Sequence, residues 1–168
     1  ALVIGDVMLD KYIYGSVDRI SPEAPVPIVN LHHTEIKAGG AANVAINLQA
    51  WGCKTNIIGI VGKDENARIL GSKLNEKDID YTWIEIQGRP TTVKTRIVAS
   101  SHHLLRIDEE SNQYIDGDNE RKALAQILQK IEEFNPQLLI LEDYNKGLLT
   151  EQIISQIIAF GRSKGMFI

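Results

Sequence analysis

The sequence predicts an α/β fold, with a central, mostly parallel sheet flanked by helices and a small β insertion. Three observations lead there. The apolar runs at Leu2–Ile4, Asn56–Val61 and Leu138–Leu141 show no apolar/polar alternation, which is the mark of strands buried on both faces. Stretches with helical periodicity separate these runs, giving strand–helix–strand–helix order. Between Tyr81 and Asp108 that order is interrupted by three β-rich runs divided by tight turns, the usual sign of antiparallel pairing.

Leu2–Ile4 ends at Gly5 and opens onto two carboxylates, Asp6 and Asp10, with Val7, Met8 and Leu9 between them. Lys11–Arg19 follows, with Tyr12 and Tyr14 alternating before a Gly15-Ser16 turn. Three prolines in Ile20–Pro27 fix φ and keep their preceding residues out of the helical region. That block is expected to be extended, at an edge or outside the main sheet. Val26–Leu31 then reads as a moderately exposed strand.

Ala38–Asn43 opens an alanine-rich helix that runs to about Trp51, with Gly52 in the C′ role. Asn56–Val61 stops at Gly62, and Asp64 caps a helix over Glu65–Asn75 whose Ile69, Leu70 and Leu74 share a face. Tyr81–Ile86, Thr92–Ala99 and Leu104–Asp108 are expected to form the second sheet together with the proline-rich block. In its middle strand Thr92, Lys94, Arg96 and Val98 point one way. Asp118–Glu133 carries Leu124, Ile127, Leu128 and Ile131 at helical spacing, and Pro136 divides it from the next strand. Thr150 caps a last helix whose Ile153, Ile154, Ile157 and Ile158 face the core. Gly165 ends that helix, and Met166–Ile168 reads as the start of another strand. Ala1 enters a core strand with no polar lead-in, so both ends are expected to be cut from a longer chain.

Composition narrows the function classes. A length of 168 residues fits one domain, and 43% hydrophobic with 24% charged residues is ordinary for a soluble globular protein. A net charge of -4 leaves no basic patch for nucleic acid and argues against an anionic membrane surface. Cys53 is the single cysteine, so no internal disulfide forms, which fits a reducing cytoplasm. No run approaches the roughly 18–20 apolar residues that a spanning helix needs.

Four strand or loop ends carry polar groups on what should be one edge of the sheet: Asp6 and Asp10, Gly39-Gly40 with Asn43, Gly62–Asp64, and Glu142-Asp143 with Lys146. Carboxylates and an amide there can hydrogen-bond the hydroxyls of a polyol, and a glycine pair lets backbone approach a ligand. Each feature also has a plainer reading. Gly39-Gly40 alone is a tight turn, Asn43 can simply cap or pack, and Asp143 and Lys146 can be solvated loop charges. Lys94 and Arg96, by pattern alone, read as a solvated face. His32-His33 and His102-His103 are adjacent pairs without helical spacing, and no cysteine completes a metal set. Ser100, Ser101 and Cys53 have no recognisable base partner, which sets nucleophilic catalysis aside.

Six blocks nevertheless carry a family resemblance: GDVMLDKYIYG, SVDRISPEAPVPIV, AGGAANVAINLQAWG, RPTTVKTRIVA, LLRID and LEDYNKG. Together they resemble the bacterial D-glycero-β-D-manno-heptose 7-phosphate kinases. These belong to the ribokinase-like sugar kinases and stand alone or form the N-terminal half of a bifunctional ADP-heptose synthase. The resemblance covers essentially the whole chain; ISPEAPVP and DYNKG are its narrowest blocks. It implies a ribokinase-like fold with a β-sheet lid, built from strands within about 12–37 and 81–108, that pairs two subunits into a homodimer. It also implies ATP-dependent phosphorylation, with Mg²⁺, of the anomeric hydroxyl of a heptose 7-phosphate, in the cytoplasm, on the way to ADP-heptose and the lipopolysaccharide core.

By position, Asp10 resembles the family's sugar-binding acid, with Asp6 left to shape the turn. Gly39, Gly40 and Asn43 match its sugar-contacting segment, and Asp143 matches the second acid facing the sugar. Lys94, Arg96 and Lys146 are the expected holders of the 7-phosphate. The chain departs from the family at His102-His103, where a Gln pair is usual. The GAGD-type segment with the catalytic base, the Asn-x-x-Glu segment and most of the ATP site are absent from these residues. The fragment is therefore expected to hold the sugar-binding half, without turnover and without a metal site of its own. Three alternatives stay open: a relative acting on an unphosphorylated sugar or nucleoside, a dinucleotide-binding domain, or a non-catalytic binding or dimerisation module. The second lacks a G-x-G-x-x-G turn after the first strand.

Overall fold

The structure, a computed structural model, describes residues 1–99 and 102–168; Ser100 and Ser101, set aside above as nucleophiles, lie outside the described residues. In chain order the elements are β1 (Leu2–Gly5), β2 (Val7–Ile20), β3 (Pro27–Gly40), α1 (Ala41–Ala50), β4 (Asn56–Gly62), α2 (Glu65–Asn75), β5 (Asp80–Ile86), β6 (Val93–Ala99), β7 (His102–Glu109), α3 (Gly117–Phe134), β8 (Leu139–Glu142) and α4 (Glu151–Ser163).

The main sheet has the order β5-β4-β1-β8, and every neighbouring pair is parallel. β1, β4 and β8 are largely apolar because helices cover both faces, whereas the edge strand β5 carries Asp80, Thr82 and Glu85. On one side Leu2, Ile4, Ile58 and Ile60 pack with Ala123, Ile127 and Ile131 of α3 and with Ile153 and Ile157 of α4. On the other, Val3, Ile57 and Val61 meet Ala41, Ala42 and Ala45 of α1 and Ala67, Leu70 and Leu74 of α2. Adjacent residues of β1 thus enter different cores, as the period-two geometry of a strand requires. The predicted caps are in place: Asp64 accepts from Ala67 N and Thr150 from Ile153 N. Leu138 and Phe167 meet in a single parallel bridge, beginning the pairing expected of Met166–Ile168.

The second sheet has the order β3-β2-β6-β7. Here the structure corrects four expectations. Tyr81–Ile86 does not join this sheet. It is β5, parallel to β4 in the main sheet and reached through α2, the long crossover that parallel pairing demands. Ile84 packs into the α3/α4 core while Tyr81 and Trp83 pack on the α1/α2 side, so both faces of β5 find partners. Second, the sheet is mixed: β2 runs antiparallel to β3 but parallel to β6. Third, Gly15-Ser16 does not turn. β2 continues to Ile20, taking up irregularities between Tyr14 and Gly15 and between Val17 and Arg19 as bulges. Fourth, the proline block is a bent connection between β2 and β3, closed by Ser21 N donating to Val26 O at 2.8 Å, and the strand expected over Val26–Leu31 runs on to Gly40.

Candidate functional site

The site lies where β1 and β8 end and β2 departs for the second sheet. Asp6, the single residue between β1 and β2, is fully buried. Its N–H donates to Glu142 O at 3.0 Å and its carbonyl accepts from Ala41 N at 3.0 Å, joining the ends of two strands to the start of α1. Its carboxylate turns toward the loop after β8: Oδ2 accepts from Tyr144 N at 3.0 Å and Lys146 N at 2.8 Å. Burial pushes the Asp6 carboxyl above its ordinary range, and Asp143 adds to this, while the loop N–H groups pull it back. Asp6 therefore does more than shape a turn.

Asp10 stands on the first turn of β2 into the second sheet, opposite Lys37 of β3 and Lys94 of β6. Arg96 Nη1 donates to Asp10 Oδ1 at 2.5 Å. Gly39 is required beside it, because a Cβ there would stand 2.2 Å from Asp10 Oδ2. Gly40 is the N-cap of α1, which has no side-chain cap and no acidic residue in its first turn. Asn43 is exposed in that first turn. Burial lowers and Asp10 raises the Arg96 guanidinium, with Asp10 prevailing; the guanidinium also lies 5.2 Å from the centre of the Tyr12 ring.

Lys94 and Lys146 are expected from the sequence either as solvated charges or as holders of a phosphate. Both are largely buried, and both are ion-paired with Glu110. Lys94 Nζ lies 3.0 Å from Glu110 Oε2 and 3.3 Å from Asp108 Oδ2, and Lys146 Nζ lies 2.9 Å from Glu110 Oε1. Asn112 Oδ1 accepts from Lys146 at 2.7 Å. The lysine pair holds the Glu110 carboxyl below its ordinary range, Lys146 first and Lys94 second, against the opposing effect of burial. The plainer reading of Lys94 and Arg96 as a solvated face is thereby corrected: Asp108 of β7 and Glu110 after it engage Lys94, and Asp10 of β2 engages Arg96.

Asp143 is exposed, and its Oδ1 accepts from Asn145 N at 2.7 Å. Tyr144 reaches back toward Asp10. Burial first, then the carboxylates of Glu142 and Asp10, push its phenol above the ordinary value. The fourth polar end, Gly62–Asp64, is not available to a ligand in the same way. Asp64 accepts from Thr91 N at 2.8 Å and from Thr91 Oγ1 at 2.7 Å, while also capping α2. Burial raises it, but these bonds prevail and hold it below its ordinary range.

Three participants escaped the sequence reading: Glu110, Tyr144 and Arg89. Glu110 is the last of the three acids Asp108-Glu109-Glu110, and nothing local distinguishes it. Arg89 sits in a Gly-Arg-Pro turn, yet its guanidinium donates to the carbonyls of Ser111 and Gln113 at 2.8 and 2.9 Å and to that of Lys146. Among the described residues no three His, Cys, Asp or Glu side chains converge as metal ligands. No described helix is long and apolar enough to cross a membrane.

Known proteins resemble this chain over nearly its whole length. The bifunctional protein HldE of Geobacter sulfurreducens is 46% identical over 165 residues, covering 98% of this chain and 33% of that protein. HldE of Nitratiruptor sp. is 41% identical over 157 residues, covering 94% and 33%. Among solved structures, a carbohydrate kinase from Agrobacterium tumefaciens superposes with a TM-score of 0.68 at 19% identity, over 98% of this chain and 50% of that one. Phosphofructokinase-2 from Escherichia coli, in complex with fructose-6-phosphate, gives 0.69 at 15% identity, over 98% and 52%. These two show the ribokinase-like fold. The chain spans about a third of the length of the curated relatives it matches and about half that of the structural ones. The model of the pfkB family carbohydrate kinases matches residues 1–154, and with the parallel sheet, the mixed lid sheet and the HldE relatives it leads to one conclusion: the chain belongs to the pfkB family of carbohydrate kinases.

Proposed function

We propose that this chain is the sugar-holding part of an ATP-dependent kinase that phosphorylates the anomeric hydroxyl of D-glycero-D-manno-heptose 7-phosphate. The observation that carries it is a carboxylate and a cation cluster on one face of the lid: Asp10, clasped by Arg96, beside Lys94 and Lys146 on Glu110. A carboxylate fixed in orientation accepts sugar hydroxyls, and Gly39 leaves room for that carboxylate. Lys94, Arg96, Lys146 and Arg106 face three carboxylates, Asp10, Asp108 and Glu110, so the cluster carries a cation in excess. An incoming phosphate can displace Glu110 from the two lysines without leaving either unpaired. The relatives named HldE support the heptose reading through the blocks quoted above.

Phosphoryl transfer depends on positioning and on neutralising charge. Asp10, Gly39, Gly40, Asn43 and Asp143 would hold the hydroxyls, and Lys94, Arg96 and Lys146 the far phosphate. ATP, accompanied by Mg²⁺, is the proposed donor, and the cytoplasm, where ATP is supplied, the proposed place of action. The base that takes the hydroxyl proton is not assigned to any of these residues. The isolated 168-residue chain is accordingly expected to give no turnover; ATP-dependent bisphosphate formation by it would overturn that part. The lid also exposes Ile20, Leu31, Leu105 and Ile107, a surface suited to a second copy of the protein.

The deciding experiment is a kinase assay of the full-length protein with heptose 7-phosphate, fructose and ribose side by side. Preference for the heptose phosphate supports the proposal, and preference for either unphosphorylated sugar overturns it. The second outcome has its own supporting observation, that the three cations already have carboxylate partners. In that case Lys94→Ala would leave the sugar KM unchanged.

A further inference from the structure

The loop after β8 is held at one residue from two sides. The Lys146 N–H donates to Asp6 Oδ2 at 2.8 Å, and the Lys146 carbonyl accepts from the Arg89 guanidinium. Arg89 uses its other donors on Ser111 O at 2.8 Å and Gln113 O at 2.9 Å. One guanidinium thus ties the loop that carries Lys146 to the segment that carries Glu110 and Asn112. Those two side chains receive the Lys146 ammonium, at 2.9 and 2.7 Å. Backbone and side chain of Lys146 are therefore fixed against the same segment.

Gly147 completes the arrangement. Its φ is +91°, its carbonyl accepts from Ile115 N at 3.0 Å, and a Cβ on it would stand 2.1 Å from Gln113 O. Only glycine lets the two segments approach this closely. On the other side, Asp6 is fully buried, and its Oδ1 has no hydrogen-bond partner among the described residues. A half-satisfied buried carboxylate is costly to keep. Its visible work is to gather the N–H groups of Tyr144 and Lys146, and Arg89 lies near enough to feel its charge.

We propose that Asp6 and Arg89 are positioning residues for the substrate phosphate: together they clamp the Lys146 backbone on both sides of its Cα and so fix where its ammonium stands. Neither touches the substrate. The proposal rests on reading Lys146 as a phosphate holder, and the test separates the two.

The test is steady-state kinetics of the full-length enzyme on heptose 7-phosphate. Arg89→Lys puts its donors on one nitrogen and loses the planar fork that reaches the three carbonyls from Nη1 and Nη2. It is expected to raise the sugar-phosphate KM about tenfold, the equivalent of about one charge-assisted hydrogen bond, with the ATP KM changing less than about twofold. Asp6→Asn keeps an oxygen for the two loop N–H groups and is expected to retain most of the affinity that Asp6→Ala loses. In a Lys146→Ala background, Arg89→Lys is expected to add nothing further, because the group it positions is gone. Additive effects, or equal effects on both substrates, would mark a general structural role and overturn the proposal. A raised KM in Lys146→Ala with a normal KM in Arg89→Lys overturns the clamp alone. A normal KM in Lys146→Ala overturns both the clamp and the phosphate reading. Arg89 is part-exposed, so Arg89→Lys carries the test if the Asp6 variants do not fold.

Discussion

Asp10 and Arg96 meet at 2.5 Å across 86 residues of sequence, and the parallel pairing of β2 with β6 brings them together. The pair links the departure of the lid from the core to the middle strand of the lid. It also orients one carboxylate where the glycine segment passes.

If Asp10 holds substrate hydroxyls, Asp10→Asn removes the charge that accepts them and leaves Arg96 without its partner. Loss of a charged hydrogen bond costs about 1.5–3 kcal/mol, or about 10- to 150-fold in affinity. The sugar KM of the full-length enzyme is expected to rise by about that factor and the ATP KM to stay nearly constant. Equal effects on both would put the sugar elsewhere.

Gly39→Ala tests the same corner without touching a charge. The added methyl would lie 2.2 Å from Asp10 Oδ2 and 3.0 Å from Met8 Cγ. Asp10 must rotate away, and Arg96 with it. Sugar affinity should fall about as far as in Asp10→Asn, while overpacking costs about 1–3 kcal/mol of stability. An alanine variant with normal sugar KM would show that Asp10 does not need its present orientation.

In the main sheet β1, β4 and β8 were legible because strands buried on both faces are largely apolar, and α1, α2 and α4 carry their start or stop signals locally: Gly52, Asp64 and Thr150. The lid was less legible. Its β2–β6 pairing joins residues far apart in the chain, and nothing in a local pattern states whether such a pairing is parallel. β5 was misplaced because Gly88-Arg89-Pro90 looks like a hairpin turn, whereas the chain leaves the main sheet there. Asp10, Gly39 and Gly40 could be singled out by position and resemblance. Glu110 and Arg89 could not, since their roles exist only after distant segments meet.

The exposed apolar side chains of the lid give a prediction about assembly. Leu105 and Ile107 on β7 are 55% and 46% exposed, and Ile20 and Leu31 are exposed more still. If a second copy covers them, Ile107→Glu places a charge in the contact and should convert a dimer into a monomer. Light scattering on the full-length protein, wild type beside variant, measures this. A variant that remains dimeric would show that the subunits pair through another surface.

Glu110 gives a prediction with a definite pH sign. Its native pKa lies below the ordinary glutamate value, so the folded state favours the ionised form relative to the unfolded chain. That stabilisation is present above the unfolded value, about 4.3, and is lost as pH falls through the native value. Glu110→Gln removes it, leaving Lys94 with Asp108 and Lys146 with Asn112. The variant should therefore unfold more easily than wild type at neutral pH, and the gap between the two melting temperatures should close as pH drops below about 4.3. Substrate should also affect the gap. Where phosphate takes the place of Glu110 between the lysines, heptose 7-phosphate is expected to raise the variant's melting temperature at least as much as the wild type's. A gap that widens in acid would contradict the ion-pair account of Glu110, and a variant insensitive to heptose 7-phosphate would contradict the exchange of carboxylate for phosphate.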